Sequence, residues 1–278
     1  MRRSTTSVAT DASGRRRSAD RRRIGAVLGA ELLCAVFVIS GPQVADTGPA
    51  IAAPVSGSSA TTSAATRSVS TPDGRTAQLI DLGAAGGAAL LDRLAAELPG
   101  ATAAVTAFWG PDWRRDITIV AAGSADQFRA LAGGGPDIAA TTTPQRITFS
   151  PAAAAMSPDD LRIVLRHELF HYAARADTAA DAPIWLTEGV ADFVGRPPAA
   201  TPVPVPATVP TDAELAEPGP ARSGAYDRAW QFASYIAETY GTDELRELYL
   251  AACGHGHRDV ATAVRAALGV DLPAVLAR

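Results

Sequence analysis

The sequence predicts an α+β fold: an N-terminal mixed α/β lobe with a small sheet, then a helical C-terminal lobe that opens on a helix rich in chemistry. Three observations carry this. Runs such as residues 76–82 (TAQLIDL) and 116–122 (DITIVAA) have the β-branched, alternating character of strands, and helix-period segments separate them. From Ser157 onward, strand signals give way to repeated helix starts and glycine stops. Beyond residue 53 the only cysteine is Cys253, so no intrachain disulfide can staple the domain and stability must come from a packed core.

In chain order, residues 1–23 are polar and hold eight arginines, and they run into the apolar stretch 24–40, IGAVLGAELLCAVFVIS. That is an export pattern. About 17 residues is the lower limit of a membrane span, and Glu31 in the middle is costly in a bilayer. Residues 1–53 therefore read as a cytoplasmic basic tail plus either a cleaved signal peptide or a retained N-terminal membrane anchor, and both place the rest outside the cytoplasm. Residues 54–74, mostly Ala, Ser, Thr, Gly and Pro, bury too little apolar surface to fold and read as a disordered linker.

The folded domain is expected at 75–278, with the α/β lobe at 75–156 and the helical lobe at 157–278. In the first lobe, strands are expected at TAQLIDL, 101–108 (ATAAVTAF), DITIVAA and 146–150 (RITFS), with helices near 88–98 and 125–131. In the second, Ser157, Pro158, Asp159 and Asp160 provide an N-cap, a proline at the first helical position and acids in the first turn. The helix that starts there carries residues 166–172, RHELFHY. Further helices are expected at 183–194, 225–240 and 242–252, and as a pair beyond Arg258. Between the first two of these lies the proline-rich stretch 197–221, long enough for a functional loop beside a cleft.

The whole chain carries a net charge of −4. Residues 1–53 hold eight arginines and four acids, so the remainder has 17 basic and 25 acidic side chains, a net −8. Such a domain, without a basic patch, is a poor binder of nucleic acid or of an anionic membrane.

His167, Glu168 and His171 spell HExxH and use two of the four histidines in the chain. Histidines four apart on a helix lie one turn apart on one face, so both imidazoles can converge on one ion, and zinc accepts two nitrogens at about 2.0 to 2.1 Å. Glu168, one step round the helix, is placed to act as a base on metal-bound water. A third ligand is required, and two acids offer themselves. Asp177 has the six-residue spacing from His171 used in metzincin-type sites, but Ala174 stands where those sites place a turn-forming glycine and no methionine follows His171. Glu188, on the next expected helix, completes a two-His, one-Glu set that leaves a fourth position open. Asp192 is four residues on, hence on the same face, where it can accept the free N–H of a ligand histidine. Cys253, His255 and His257 form a second cluster in CGHGH, too close in sequence to close a metal site alone. Trp109, Trp113, Trp185 and Trp230 share no period and read as core or cleft wall.

HELFH, then WLTEGVAD, then YDRAWQFASYIAETYG resembles the gluzincin zinc metallopeptidases, in particular the bacterial peptidase MA-like group with its WLxEGxA element. The resemblance covers roughly residues 157–278. It implies a zincin-like fold and one Zn2+ held by His167, His171 and Glu188. It also implies Glu168 as general base and acid, and Asp192 as the carboxylate that orients a ligand histidine. Tyr226 matches the tyrosine that in aminopeptidase-like relatives hydrogen-bonds the developing oxyanion, although YDRA stands where they have YxKG. A Tyr that packs the helix start is the alternative, and Tyr235 is the fallback.

The expected function is therefore that of a secreted or membrane-anchored zinc endopeptidase of a bacterial cell envelope, acting on a peptide or protein substrate. RITFS is expected to be the edge strand that pairs with it. The rivals are a catalytically inactive envelope or adhesion protein on a peptidase-like fold, and a zinc hydrolase of a non-peptide bond.

Overall fold

In a computed structural model, which describes residues 65–278 apart from Gly134 and Pro136, period-two alternation turns Ala77 and Leu79 of strand β2 (Thr76–Asp81) into the main core. Ile117 and Ile119 of β3 (Asp116–Ala121) do the same. The expected export segment, and the expected linker as far as residue 64, lie outside the described residues. No helix among the described residues is long and apolar enough to cross a membrane.

The fold is α+β. Its mixed sheet has the order β1 (Ala65–Ser70), β2, β3, β5 (Ile147–Phe149), β4 (Ala140–Thr142), with β2–β3 and β3–β5 parallel and the two outer pairs antiparallel. Two strands differ from expectation. β1 falls inside the stretch read as linker: it is an almost wholly exposed edge strand held by its ladder to β2, so it needs none of the apolar residues whose scarcity suggested a linker. RITFS, as β5, is not an edge at all, because β3 and β4 flank it on both sides; the edge is the three-residue β4.

ATAAVTAF is helical, not a strand. It belongs to α1 (Gly87–Trp109), which continues through Pro99. A proline inside a helix costs about 3 kcal/mol or more. Leu90, Leu94, Leu98, Ala101, Val105 and Phe108 nevertheless keep one stripe at helical spacing and all are buried. Full burial of each large side chain contributes roughly 1.5 to 3 kcal/mol, so Val105, Phe108 and Trp109 together outweigh the proline. α1 packs against β2 and β3 on one side and against α3 (Pro158–Ala174) on another. The short α2 (Ala125–Ala132) contributes Phe128 and Ala132 to a separate small cluster with Ala122 and Ile138.

α3 starts as expected, with the Ser157 hydroxyl accepting from the Asp160 N–H at 3.1 Å. It is tied to the sheet by the Tyr172 hydroxyl, which donates to the Asp116 carbonyl at 2.9 Å. Next comes α4 (Ile184–Gly195), packed between α3 and α6 (Pro220–Thr239). The remaining helices are α5 (Asp212–Ala216), α7 (Thr242–Cys253), α8 (Val260–Leu268) and α9 (Leu272–Leu276). α5 and the first two residues of α6 lie within the proline-rich stretch. That stretch is anchored: Val203 is buried and its N–H donates to Glu238 of α6 at 3.1 Å. Asp212 accepts from the Trp185 N–H at 3.0 Å, capping a helix start whose own cap residue, Pro183, offers no side-chain hydrogen bond.

Two glycines let α4 sit close to both neighbours. A Cβ at Gly195 would lie 2.9 Å from the Ile163 carbonyl oxygen of α3, and one at Gly189 would lie 2.6 Å from the Ala229 carbonyl oxygen of α6. An exposed helical Gly→Ala change normally stabilises by up to about 1 kcal/mol. Here Gly189→Ala is expected to destabilise by about 1 to 3 kcal/mol, because the helices must part. A lowered midpoint of urea unfolding checks this, and an unchanged or raised midpoint contradicts the close approach.

Candidate metal centre

The two histidines of α3 and the carboxylate of α4 meet in the interior. His167, His171 and Glu188 are 1%, 5% and 0% exposed, and one ligand atom from each lies within 4.8 Å of the others. The Nε2 atoms of His167 and His171 are 3.1 Å apart; Glu188 places Oε2 at 3.2 Å from His167 Nε2 and Oε1 at 3.4 Å from His171 Nε2. A four-coordinate ion bound at about 2.0 to 2.1 Å spaces its ligand atoms about 3.3 Å apart. The three separations bracket that value.

Protonation states point the same way. His167 Nδ1 lies 2.9 Å from Asp192 Oδ1. A carboxylate can only accept there, so Nδ1 carries the proton, and Nε2 is the nitrogen that faces Glu188. Neither Glu188 oxygen makes a well-formed hydrogen bond, and both are buried. Burial alone would raise the pKa of this carboxyl. Positive charge on the facing imidazoles, His171 first and then His167, holds it at about 2. An ionised, buried carboxylate needs compensating positive charge beside it. A metal ion supplies it and leaves the lone pairs in use, so this group could hold a metal ion.

Around the triad the chain builds support. Asp192 is pinned from its far side by Arg196 Nη2 at 2.6 Å, and Arg196 Nη1 reaches Asp227 of α6 at 3.2 Å. Burial would raise the Asp192 pKa, but the Arg196 charge and the His167 hydrogen bond hold it below the usual carboxylate range. The Arg196 guanidinium also lies over the Trp230 ring, 5.1 Å from its centre. Behind His171, Phe170 packs edge-on against Phe108, Trp109 and Tyr249, so α1 and α7 brace the helix that carries both histidines.

Glu168 is fully buried. Its Oε2 receives a hydrogen bond from the Thr142 hydroxyl of β4 at 2.6 Å, while Oε1 has no partner. Thr142, Arg196 and Asp212 carry no signal in the sequence, since each matters only through a partner at least four, and as many as 27, positions away.

Of the other candidates, Asp177 is exposed beyond the end of α3 and does not join the group, whereas Glu188 does, as the candidate third ligand. Tyr226 is buried on the face of α6 turned to α4, one turn before Ala229, whose carbonyl abuts Gly189. Tyr235 packs against the main core. The CGHGH residues are not brought together. Cys253 is buried and its thiol pKa is pushed up by that burial, His255 donates to the Ala176 carbonyl at 3.0 Å, and His257 faces Asp181 at 3.4 Å. Trp109, Trp113 and Trp185 are buried, as a core role requires.

Glu188→Ala is expected to abolish metal binding, whereas Asp192→Asn should weaken it by about 10- to 100-fold, the usual cost of losing a partner that orients a ligand histidine. Asp177→Asn should leave affinity unchanged. Competition against a chromophoric chelator reads all three, and undiminished affinity in Glu188→Ala contradicts the ligand set. No model of a known protein family matches the chain, and no curated protein matches its sequence.

Proposed function

We propose that the chain is a zinc-dependent peptidase of gluzincin type, acting as an endopeptidase on peptide or protein substrates outside the cytoplasm. The observation that carries this is Glu168, a buried carboxylate with an unpartnered oxygen on the same helix turn as two histidines that converge on Glu188. A site that only stored or sensed a metal has no need of a base beside it.

Two imidazoles and one carboxylate suit zinc, and a three-ligand set is the pattern of a catalytic rather than a structural site. His167, His171 and Glu188 would hold the ion, which when bound supplies Lewis-acid polarisation of the scissile carbonyl and acidifies the attacking water. The proton moves through the chain's own groups. Glu168 takes it from the water at Oε1 and passes it to the leaving amine, so that one side chain serves as base and then acid. Asp192 keeps His167 in the tautomer that presents Nε2, and Arg196 keeps Asp192 ionised. Tyr226, on the helix that packs against α4, is the proposed hydrogen-bond donor to the oxyanion. β4, not RITFS, is the edge available to an extended substrate, since among the described residues it pairs only with β5.

The purified chain should bind about one zinc ion and cleave an unstructured protein such as casein. Glu168→Gln should retain the zinc and lose at least about 100-fold in kcat/KM, within the range that general acid–base catalysis supplies. Chelation should abolish cleavage and zinc should restore it. Full cleavage by Glu168→Gln, or by the metal-free chain, contradicts the proposal.

A further inference from the structure

The base of this site has a neighbour outside both sequence motifs. Thr142 is the last residue of β4, 2% exposed, and its Oγ1 lies 2.6 Å from Glu168 Oε2 and 3.0 Å from the Glu168 backbone carbonyl oxygen. A hydroxyl has one proton and here faces two acceptors. With Glu168 ionised, the charge-assisted bond to Oε2 is the stronger one and is also the shorter. Oε2 is thereby occupied, and Oε1, buried and unpartnered, is the oxygen left to accept a proton.

We infer that Thr142 is a positioning residue for the reaction. By engaging Oε2 it fixes the rotamer of Glu168 and selects Oε1 as the atom that takes the proton. This rests on the peptidase proposal above. The β4–β5 register sets the residue up: Thr142 pairs with Ile147, which places Ala140 and Thr142 on one face and Thr141 on the other. Thr141 is equally buried, yet its hydroxyl has no hydrogen-bond partner. Of these two buried threonines on opposite faces of one short strand, only Thr142 brings its hydroxyl to Glu168. Capping a helix carbonyl would not by itself require contact with the carboxylate.

The experiment compares kcat and KM for casein cleavage, together with bound zinc, in the wild-type chain and in Thr142→Val, Thr142→Ser and Thr141→Val. Thr142→Val keeps the shape and removes the donor. It should lose about 10- to 100-fold in kcat, the scale of a misplaced catalytic group, with KM and zinc content unchanged. Thr142→Ser should restore kcat to within about threefold of wild type, and Thr141→Val should match wild type within about twofold. A kcat for Thr142→Val within about twofold of wild type overturns the inference while leaving the peptidase proposal standing. An equal loss in Thr142→Ser, or in Thr141→Val, overturns it too, since the effect would then be one of packing. If Thr142→Val does not fold, Thr142→Cys, with its weak S–H donor, reads the same step: an intermediate loss of kcat supports the inference and no loss overturns it. A wild-type chain that binds zinc but cleaves nothing removes the peptidase proposal first, and this inference with it.

Discussion

The arrangement turns on one electrostatic requirement: the Glu188 carboxylate, with no exposed surface, faces the Nε2 atoms of two imidazoles at 3.2 and 3.4 Å. Removing a charge from water costs several kcal/mol per ion unless a partner compensates it. Glu168, Glu188 and Asp192 bring three buried carboxyl groups to this interior, and the one guanidinium beside them, Arg196, is shared between Asp192 and Asp227. The rest of the helical lobe is arranged so that this placement holds. Gly189 and Gly195 let α4 approach α6 and α3 closely enough for Glu188 to reach the histidines. Asp212 caps the start of α4, and Arg196 at its other end ties Asp192 to Asp227 on α6. The proline-rich stretch, through Val203 and Asp212, ties α6 to the start of α4.

The parts of the site that were legible in the sequence are those that local chemistry determines. Ser157, Pro158 and two acids mark the start of α3 without help from the rest of the chain, and the spacing of His167 and His171 puts them on one face of any helix. Glu188 and Asp192 follow by the same four-residue rule. The choice between Asp177 and Glu188 was decided only in three dimensions, where the chain leaves Asp177 in solvent beyond the end of α3 and turns Glu188 inward.

What could not be read depends on partners far along the chain. β1 looks like linker because an edge strand buries little, and only its pairing with β2 makes it a strand. ATAAVTAF follows a proline and a glycine, Pro99 and Gly100, and the continued burial of its stripe against the core accompanies its helical form. β4 is three residues long, too short for any period, and Thr142 gains its role from Glu168, 26 positions later. The proposed base and two of the candidate metal ligands are thus visible in a pentapeptide, while the group proposed to orient that base is not.

The most direct test of a cation at this centre is a crystal structure of the purified chain with anomalous data collected above and below the zinc absorption edge. The account predicts one strong anomalous peak within about 2.0 to 2.2 Å of His167 Nε2, His171 Nε2 and a Glu188 carboxylate oxygen, vanishing below the edge. A peak bound by Asp177 in place of Glu188, or none in crystals grown with zinc, would contradict it.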